Sequence, residues 1–444
     1  MVAISLLDMP PEIQLQIAEF ADKNCTLKAL SVTSRSLRSI AQSVLFKKLR
    51  IDLGKGLRGS IDDLLANPRI CAAIRFLELR GGFLMSAKPP RNDEEQLAII
   101  KNLLPEMVGL RKVSIYQINL SKVFLEAFLG IVAKIPLRIH LGLNIFPPGI
   151  NTAPNTPLQI SHLHFSNAVD HPSLEFYRSM FHASATALTG LNMKADGDGL
   201  MKLADVDLPF LHDLILSITT ENEVSRTSVA TFIIAQKTIR RLELRGKVCP
   251  LPPIPPDALP DLRELSASTE LVNQLVPGRP VETIEVSASQ VCDQDWFNEE
   301  MARSTAWVRK LRVRVNTAEP DTRMVGRMVT ILPSLESVWL SVSDDVSDHF
   351  IRLPPLILLQ TLLDVVEVLT SLKCLKDLRL SLFRRKIWIN HNINAIATKL
   401  RNANSSFSYL EIRDGVASGW KNSVSVWNEG LGVFHHIESV SPPS

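Results

Sequence analysis

One spacing dominates this chain: an apolar residue, two variable positions, an apolar residue, one variable position, an apolar residue. It begins as Ile74-x-x-Leu77-x-Leu79 and Leu110-x-x-Val113-x-Ile115. It returns at Ile160-x-x-Leu163-x-Phe165, Leu188-x-x-Leu191-x-Met193, Leu211-x-x-Leu214-x-Leu216 and Ile239-x-x-Leu242-x-Leu244. Later copies are Leu262-x-x-Leu265-x-Ala267, Val281-x-x-Ile284-x-Val286, Val308-x-x-Leu311-x-Val313 and Leu335-x-x-Val338-x-Leu340. Leu375-x-x-Leu378-x-Leu380 and Phe407-x-x-Leu410-x-Ile412 close the series, and Ile139-x-Leu141 is a degenerate copy. Most copies follow one another after roughly 20 to 30 residues, the interval of stacked repeat units. A single triplet of this kind is common by chance; about a dozen at a recurring interval are a signal. The alternating end of each copy reads as a short strand, apolar side chains inward and the intervening ones outward.

Helix-like runs lie between the copies: 93–104, 122–134, 228–236 and 358–370. Strand, turn, helix and return make one unit, which buries its apolar face only by stacking on its neighbours. Period and core together resemble a leucine-rich repeat, and the expected fold class over 70–440 is an α/β solenoid with a strand and a helix per repeat. Asn167 and Asn316 are the nearest candidates for the asparagine that such repeats carry after the strand. Two proline-rich insertions, 142–159 and 249–262, read as solvated linkers, and the terminal IESVSPPS should fray.

The first fifty residues differ. Asp8 can cap a helix running through EIQLQIAEFAD, whose Ile13, Ile17 and Phe20 make an apolar stripe. Thr26 can cap a second short helix, and a third sets Leu37, Ile40, Ala41 and Val44 on one face. Three such helices bury little by themselves, so an apolar face must pack on the rest of the chain or on a partner. Met9-Pro10-Pro11-Glu12-Ile13, followed by Leu30-Ser31-Val32-Thr33-Ser34-Arg35-Ser36-Leu37-Arg38-Ser39-Ile40, resembles an F-box. Leu37 stands where that family has an aromatic, Ser34 where it has cysteine and Arg35 where it has lysine. The resemblance implies an all-helical F-box over 1–50; the glycine-bearing stretch 51–69 reads as a connector and capping segment. The resemblance also implies docking on the small adaptor subunit of a cullin–RING ubiquitin ligase through Met9, Pro10, Pro11, Ile13, Ile17, Leu27, Leu30 and Leu37. An F-box ahead of an irregular leucine-rich array resembles fungal F-box proteins, in which the array holds the protein destined for degradation.

In that register the outward strand residues form a ladder. Tyr, Trp and Arg are common binding hot spots, and the candidate substrate-binding residues are Tyr116, His164, Arg312, Arg314, Trp339 and Tyr409.

Other chemistry is weakly signalled. Gly54-Lys55-Gly56-Leu57-Arg58-Gly59 matches a dinucleotide loop, but KKLRIDL before it alternates rather than reading as a strand buried on both faces. Asp62 and Asp63 in the next helix would repel a pyrophosphate. The glycines read as a connector. His162-x-His164 is half a metal site without further ligands, and ADGDGL (195–200) lacks the calcium-loop pattern. No cofactor, metal or catalytic constellation is expected, so the chain reads as a non-enzyme. With 49 basic against 46 acidic residues, a net charge of +3 argues against a dedicated nucleic-acid binder. Five scattered cysteines without C-x-x-C fit a reducing compartment. Asp364 and Glu367 interrupt the most apolar stretch, so a membrane span is not expected, and the resemblance places the protein in cytoplasm or nucleus. The alternative is a repeat scaffold that binds partners without ubiquitin transfer.

Overall fold

A computed structural model describes residues 9–20, 24–53, 58–81, 93–118, 120–142, 144, 156–168, 174–195, 200, 203–218, 223–246, 250–287, 298–315, 322–342, 363–383, 389–415, 422–428 and 434–439. The chain divides into two compact units, Met1–Leu211 and His212–Ser444.

The first unit opens with three helices: α1 (Pro11–Phe20), α2 (Asn24–Thr33) and α3 (Arg35–Leu45). Thr26 does not cap α2, which already starts at Asn24. Ser34 caps α3 through its hydroxyl, which accepts from the Leu37 amide at 3.1 Å. Helix α3 packs against both α1 and α2 and buries Leu37 and Ala41. Helix α1 is turned the opposite way from its apolar stripe. Gln14 and Ala18 face inward, while Ile13, Ile17 and Phe20 are 41%, 38% and 85% exposed. Ala18 is small enough for close helix approach, and the Gln14 amide donates to the Met9 carbonyl at 2.7 Å.

The chain passes from α3 directly into the sheet. Strand β1 (Lys48–Asp52) pairs in parallel with β2 (Phe76–Arg80), so the array starts one strand before the first complete copy of the pattern. Ile51 and Leu53 are already core. Parallel pairing continues in chain order through β3 (Lys112–Tyr116), β4 (Leu137–Gly142), β5 (Ile160–Ala168) and β6 (Gly190–Ala195). Return segments carry α4 (Arg58–Leu65), α5 (Pro68–Ala73), α6 (Asp93–Leu103), α7 (Lys122–Val132) and α8 (Leu174–Ser184). Gly54 to Leu57 of the glycine loop, most of the 142–159 insertion and Asp196–Gly199 of the acidic turn lie outside the described residues.

The second unit repeats the scheme. Its parallel strands are β7 (Asp213–Ile218), β8 (Arg241–Arg245), β9 (Glu264–Ala267), β10 (Thr283–Ser287), β11 (Lys310–Val315), β12 (Ser337–Val342), β13 (Asp377–Phe383) and β14 (Tyr409–Gly415). Helices Glu223–Ala235, Thr269–Leu275, Thr322–Ile331, 363–369 and Ile389–Ala403 lie between them. Two antiparallel strands, β15 (Asn422–Asn428) and β16 (Phe434–Ser439), close the sheet. Ile437 to Ser439 of the expected fraying tail are therefore strand, because Val424↔Ile437 and its neighbours continue the ladder.

The apolar triplets form the core in both units: Leu77, Leu79, Val113, Ile115, Leu242, Leu244, Leu378 and Leu380 are all at most 2% exposed. At about 25 cal/mol per Å² of apolar surface removed from water, each buried leucine stabilises by about 2 kcal/mol. Within each unit the architecture is a mostly parallel sheet with interleaved helices, consistent with a leucine-rich-repeat-like α/β solenoid, with apolar ridges on one sheet face and polar rows on the other, open face.

One expectation needs correction. The described part of the second proline-rich insertion is not a solvated linker. Leu251, Ile254, Ala258 and Leu259 are buried, and its middle forms a turn of 3-10 helix, Pro256–Ala258. Because the prolines have no N–H to donate, side chains supply further donors to the insertion's carbonyls. The Gln274 amide donates to the Leu251 and Pro252 carbonyls at 2.7 and 3.0 Å. Arg279, 1% exposed, donates to the carbonyls of Ile254, Pro255 and Leu275 at 2.9, 2.7 and 3.0 Å. Asn144, which the sequence pattern did not single out, acts as a repeat asparagine. It follows Leu141 by three residues, accepts from the Ile118 amide at 3.1 Å and donates to the Ile115 carbonyl at 2.8 Å. Asn404 does similar work, donating to the Leu375 carbonyl at 2.6 Å. Asn316 and the side chain of Asn167 lie outside the described residues.

Candidate partner-binding surfaces

On the open face, register sets the polar side chains in rows across the strands. In the first unit Glu78, Ser114, His140 and His164 are successive Cα partners on β2 to β5. Beside them run Arg80, Tyr116 and Gly142, and on the other side Lys112, Arg138 and His162. Glu78 is 7% exposed and is gripped by Lys48 at 2.9 Å and by Arg80. Burial pushes its carboxyl up, but the hydrogen bonds and charges of Lys48 and Arg80 outweigh that and leave it below the usual value.

Tyr116 and His164, two of the expected binding residues, are joined through a third, His140. The Tyr116 hydroxyl lies 2.7 Å from His140 Nδ1, and Ser166 Oγ lies 2.6 Å from Nε2. The His140 ring stacks on His164, centroids 3.7 Å apart and planes at 18°, and meets Tyr116 edge-on at 4.7 Å. Desolvation first, then the charges of His164 and Lys112, pull His140 down to about 4. It is neutral at pH 7, one ring nitrogen accepting and the other donating. The Tyr116 ring lies over Gly142, where an added Cβ would sit 2.6 Å from it. His140 was not among the expected site residues, because it sits in the degenerate Ile139-x-Leu141 copy. Its place between two core residues, aligned with His164, was the available signal.

The second unit carries a different row: Glu285, Arg312, Trp339, Arg379 and Glu411 on β10 to β14. Arg312 stacks over Trp339 at 3.6 Å from the ring centroid, with Glu285 at 3.3 Å from its guanidinium. Arg379 lies 5.8 Å from the Trp339 centroid and 5.3 Å from that of Tyr409, with Glu411 at 3.7 Å. The Tyr409 hydroxyl donates to Glu411 at 2.9 Å. Three of the expected residues, Arg312, Trp339 and Tyr409, thus share one cluster built around Arg379. Cation–π contact at such exposed sites stabilises by about 0.5–1 kcal/mol each. Arg314 occupies the next row, between Ser287 and Ser341; its side chain lies outside the described residues.

At the N-terminus the expected partner-binding residues separate by depth. Leu27 and Leu37 are buried, Met9 and Leu30 half-buried, and Pro10, Pro11, Ile13 and Ile17 exposed. Leu15, Phe20 and Val32 add to the exposed apolar surface at 38%, 85% and 75%.

Among the described residues no group of three or more His, Cys, Asp or Glu side chains could hold a metal, and Cys25, Cys71 and Cys374 are free. No helix among them is long and apolar enough to cross a membrane. No family model matches the chain, and no curated protein does. Among solved structures, the leucine-rich repeat-containing protein LegL7 from Legionella pneumophila is similar over 73% of this chain and 97% of its own, at 11% identity and a TM-score of 0.36.

Proposed function

We propose that the chain is a non-catalytic adaptor. Its three N-terminal helices would dock as an F-box on the small adaptor subunit of a cullin–RING ubiquitin ligase, and the open sheet face would hold a protein substrate. The observation that carries this is the orientation of α1, whose small and polar residues pack inward while Ile13, Ile17 and Phe20 face solvent. An exposed apolar helix face suits a partner interface with an apolar centre. Rate enhancement would come from proximity: a substrate lysine held near the charged ubiquitin-conjugating enzyme turns a bimolecular transfer into an effectively intramolecular one. The chain itself would make and break no covalent bond, and it would act in cytoplasm or nucleus.

The test is co-purification of the adaptor subunit with the wild-type chain and with Ile13→Asp/Phe20→Asp. Both positions are exposed, so the fold should survive and adaptor recovery should drop at least tenfold. Equal recovery would sink the proposal. A second reading, a repeat scaffold without ubiquitin transfer, draws support from the packing of α3 on α5, by which the N-terminal helices cover the start of the array. A reconstituted ubiquitination assay separates the two.

A further inference from the structure

We infer that the open face of β3 to β6 is a docking strip for an acidic peptide and that it takes up a proton as the peptide binds. This rests on the reading of the open face as the substrate-holding surface. Charge complementarity decides the partner. Strands β3 to β6 contain not one Asp or Glu, yet they carry Lys112, Arg138, Lys194 and three histidines. The second unit is different, since carboxylates stand beside its stacked guanidiniums. On β2, Glu78 is already occupied by Lys48 and Arg80. No carboxylate among the described residues lies within salt-bridge distance of Lys112 or Arg138.

The proton comes from the geometry around His140. Its ring is stacked on His164 and hydrogen-bonded at both nitrogens, to Tyr116 and Ser166. Among the described residues the charged groups facing it are positive or neutral: Lys112 and Tyr116 from β3, Arg138 from its own strand, His162 and His164 from β5. Glu78 and Arg80 lie one strand beyond β3, and Lys194 one strand beyond β5. Two imidazoles at this separation cannot both be charged without a counter-ion. A peptide carboxylate laid across them supplies one, so the bound state holds a proton that the free state does not. Affinity must then rise as pH falls. His140 is the proton-linked residue, and Lys112 and Arg138 supply the standing attraction.

The test uses the full chain and a fluorescein-labelled twelve-residue Glu/Gly/Ser peptide, with a Gln-for-Glu peptide and a twelve-nucleotide single-stranded RNA as comparisons. Fluorescence anisotropy should show at least fivefold tighter binding of the acidic peptide at pH 6.0 than at pH 7.5, with the Gln peptide and the RNA at least tenfold weaker. His140→Gln should abolish the pH step, leaving the pH 6.0 and pH 7.5 affinities within twofold of each other. Lys112→Glu/Arg138→Glu should weaken binding more than tenfold at both pH values. A flat pH profile, equal binding of the Gln peptide, tighter binding of the RNA, or a pH step surviving in His140→Gln overturns the inference. Should a variant lose its wild-type thermal melt, the His140 ring-proton titration in the wild-type chain decides: its pKa must rise when the acidic peptide is added. Adaptor capture by α1 is measured separately, so loss of either result does not disturb the other.

Discussion

Single side chains in this protein carry unequal loads. Arg279 is the clearest case, a buried guanidinium donating to the Ile254 and Pro255 carbonyls of the insertion and to the Leu275 carbonyl at the end of a helix. Arg279→Ala should destabilise the second unit by about 3–5 kcal/mol, since it strands buried acceptors; urea unfolding followed by circular dichroism measures this. His140 gives a pH signature. Its folded pKa of about 4 lies below the ordinary 6.5, so its contribution is fully present above pH 6.5 and fades as pH falls from there to 4. Solvent screening of the half-exposed ring brings the contribution below the roughly 3 kcal/mol that the full difference would give, to about 1–2 kcal/mol. Glu78, also lowered in the folded chain, contributes above its ordinary value near pH 4.5 and loses this as pH falls further. Wild type should therefore lose stability in two acid steps, and His140→Gln should lack the first. None of this was legible in the sequence. A buried arginine in a proline-rich loop looks like a surface arginine until its carbonyl partners are known. His140 hid because only two of the three apolar markers flank it.

At the scale of elements the sequence was much more informative, for a physical reason. The apolar triplet writes strand position and facing at once, so β2 to β14 fall on the copies and their register follows. Helix α1 was half legible, because periodicity reports that a face is apolar and not whether it points to the chain or to solvent. The proline insertion misled because composition reports the missing amides and not the side chains that replace them. Asn144 and Asn404 tie neighbouring units together inside the turns. Asn144→Ala should cost about 1–3 kcal/mol, by loss of a doubly used buried amide. Gly81 marks another close approach: a Cβ there would sit 1.9 Å from the Gln117 carbonyl oxygen, and Gln117 itself has φ 58°. Gly81→Ala must push two adjoining turns apart and should lower the melting temperature by several degrees by calorimetry.

For the molecule as a whole, ends matter more than middles. In the second unit β15 and β16 switch to antiparallel pairing, and Trp427 stacks on Phe407 at 5.8 Å between centroids. Deleting residues 421–444 would expose the edge of β14 and the Phe407 ring. Unpaired edges recruit other chains, so the truncated protein should elute as aggregate on size exclusion while the full chain does not. The order of strands within each unit has one more consequence, a mechanical one. Because every parallel strand is hydrogen-bonded to the strand that follows it in the chain, a pull on the two ends of the second unit tears the ladder one rung at a time rather than shearing many bonds together. Successive strands start about 20 to 40 residues apart, so each rupture should release a contour length on the order of 7–14 nm. Held in optical tweezers, the protein should yield in a staircase of small, low-force steps, each as long as one repeat.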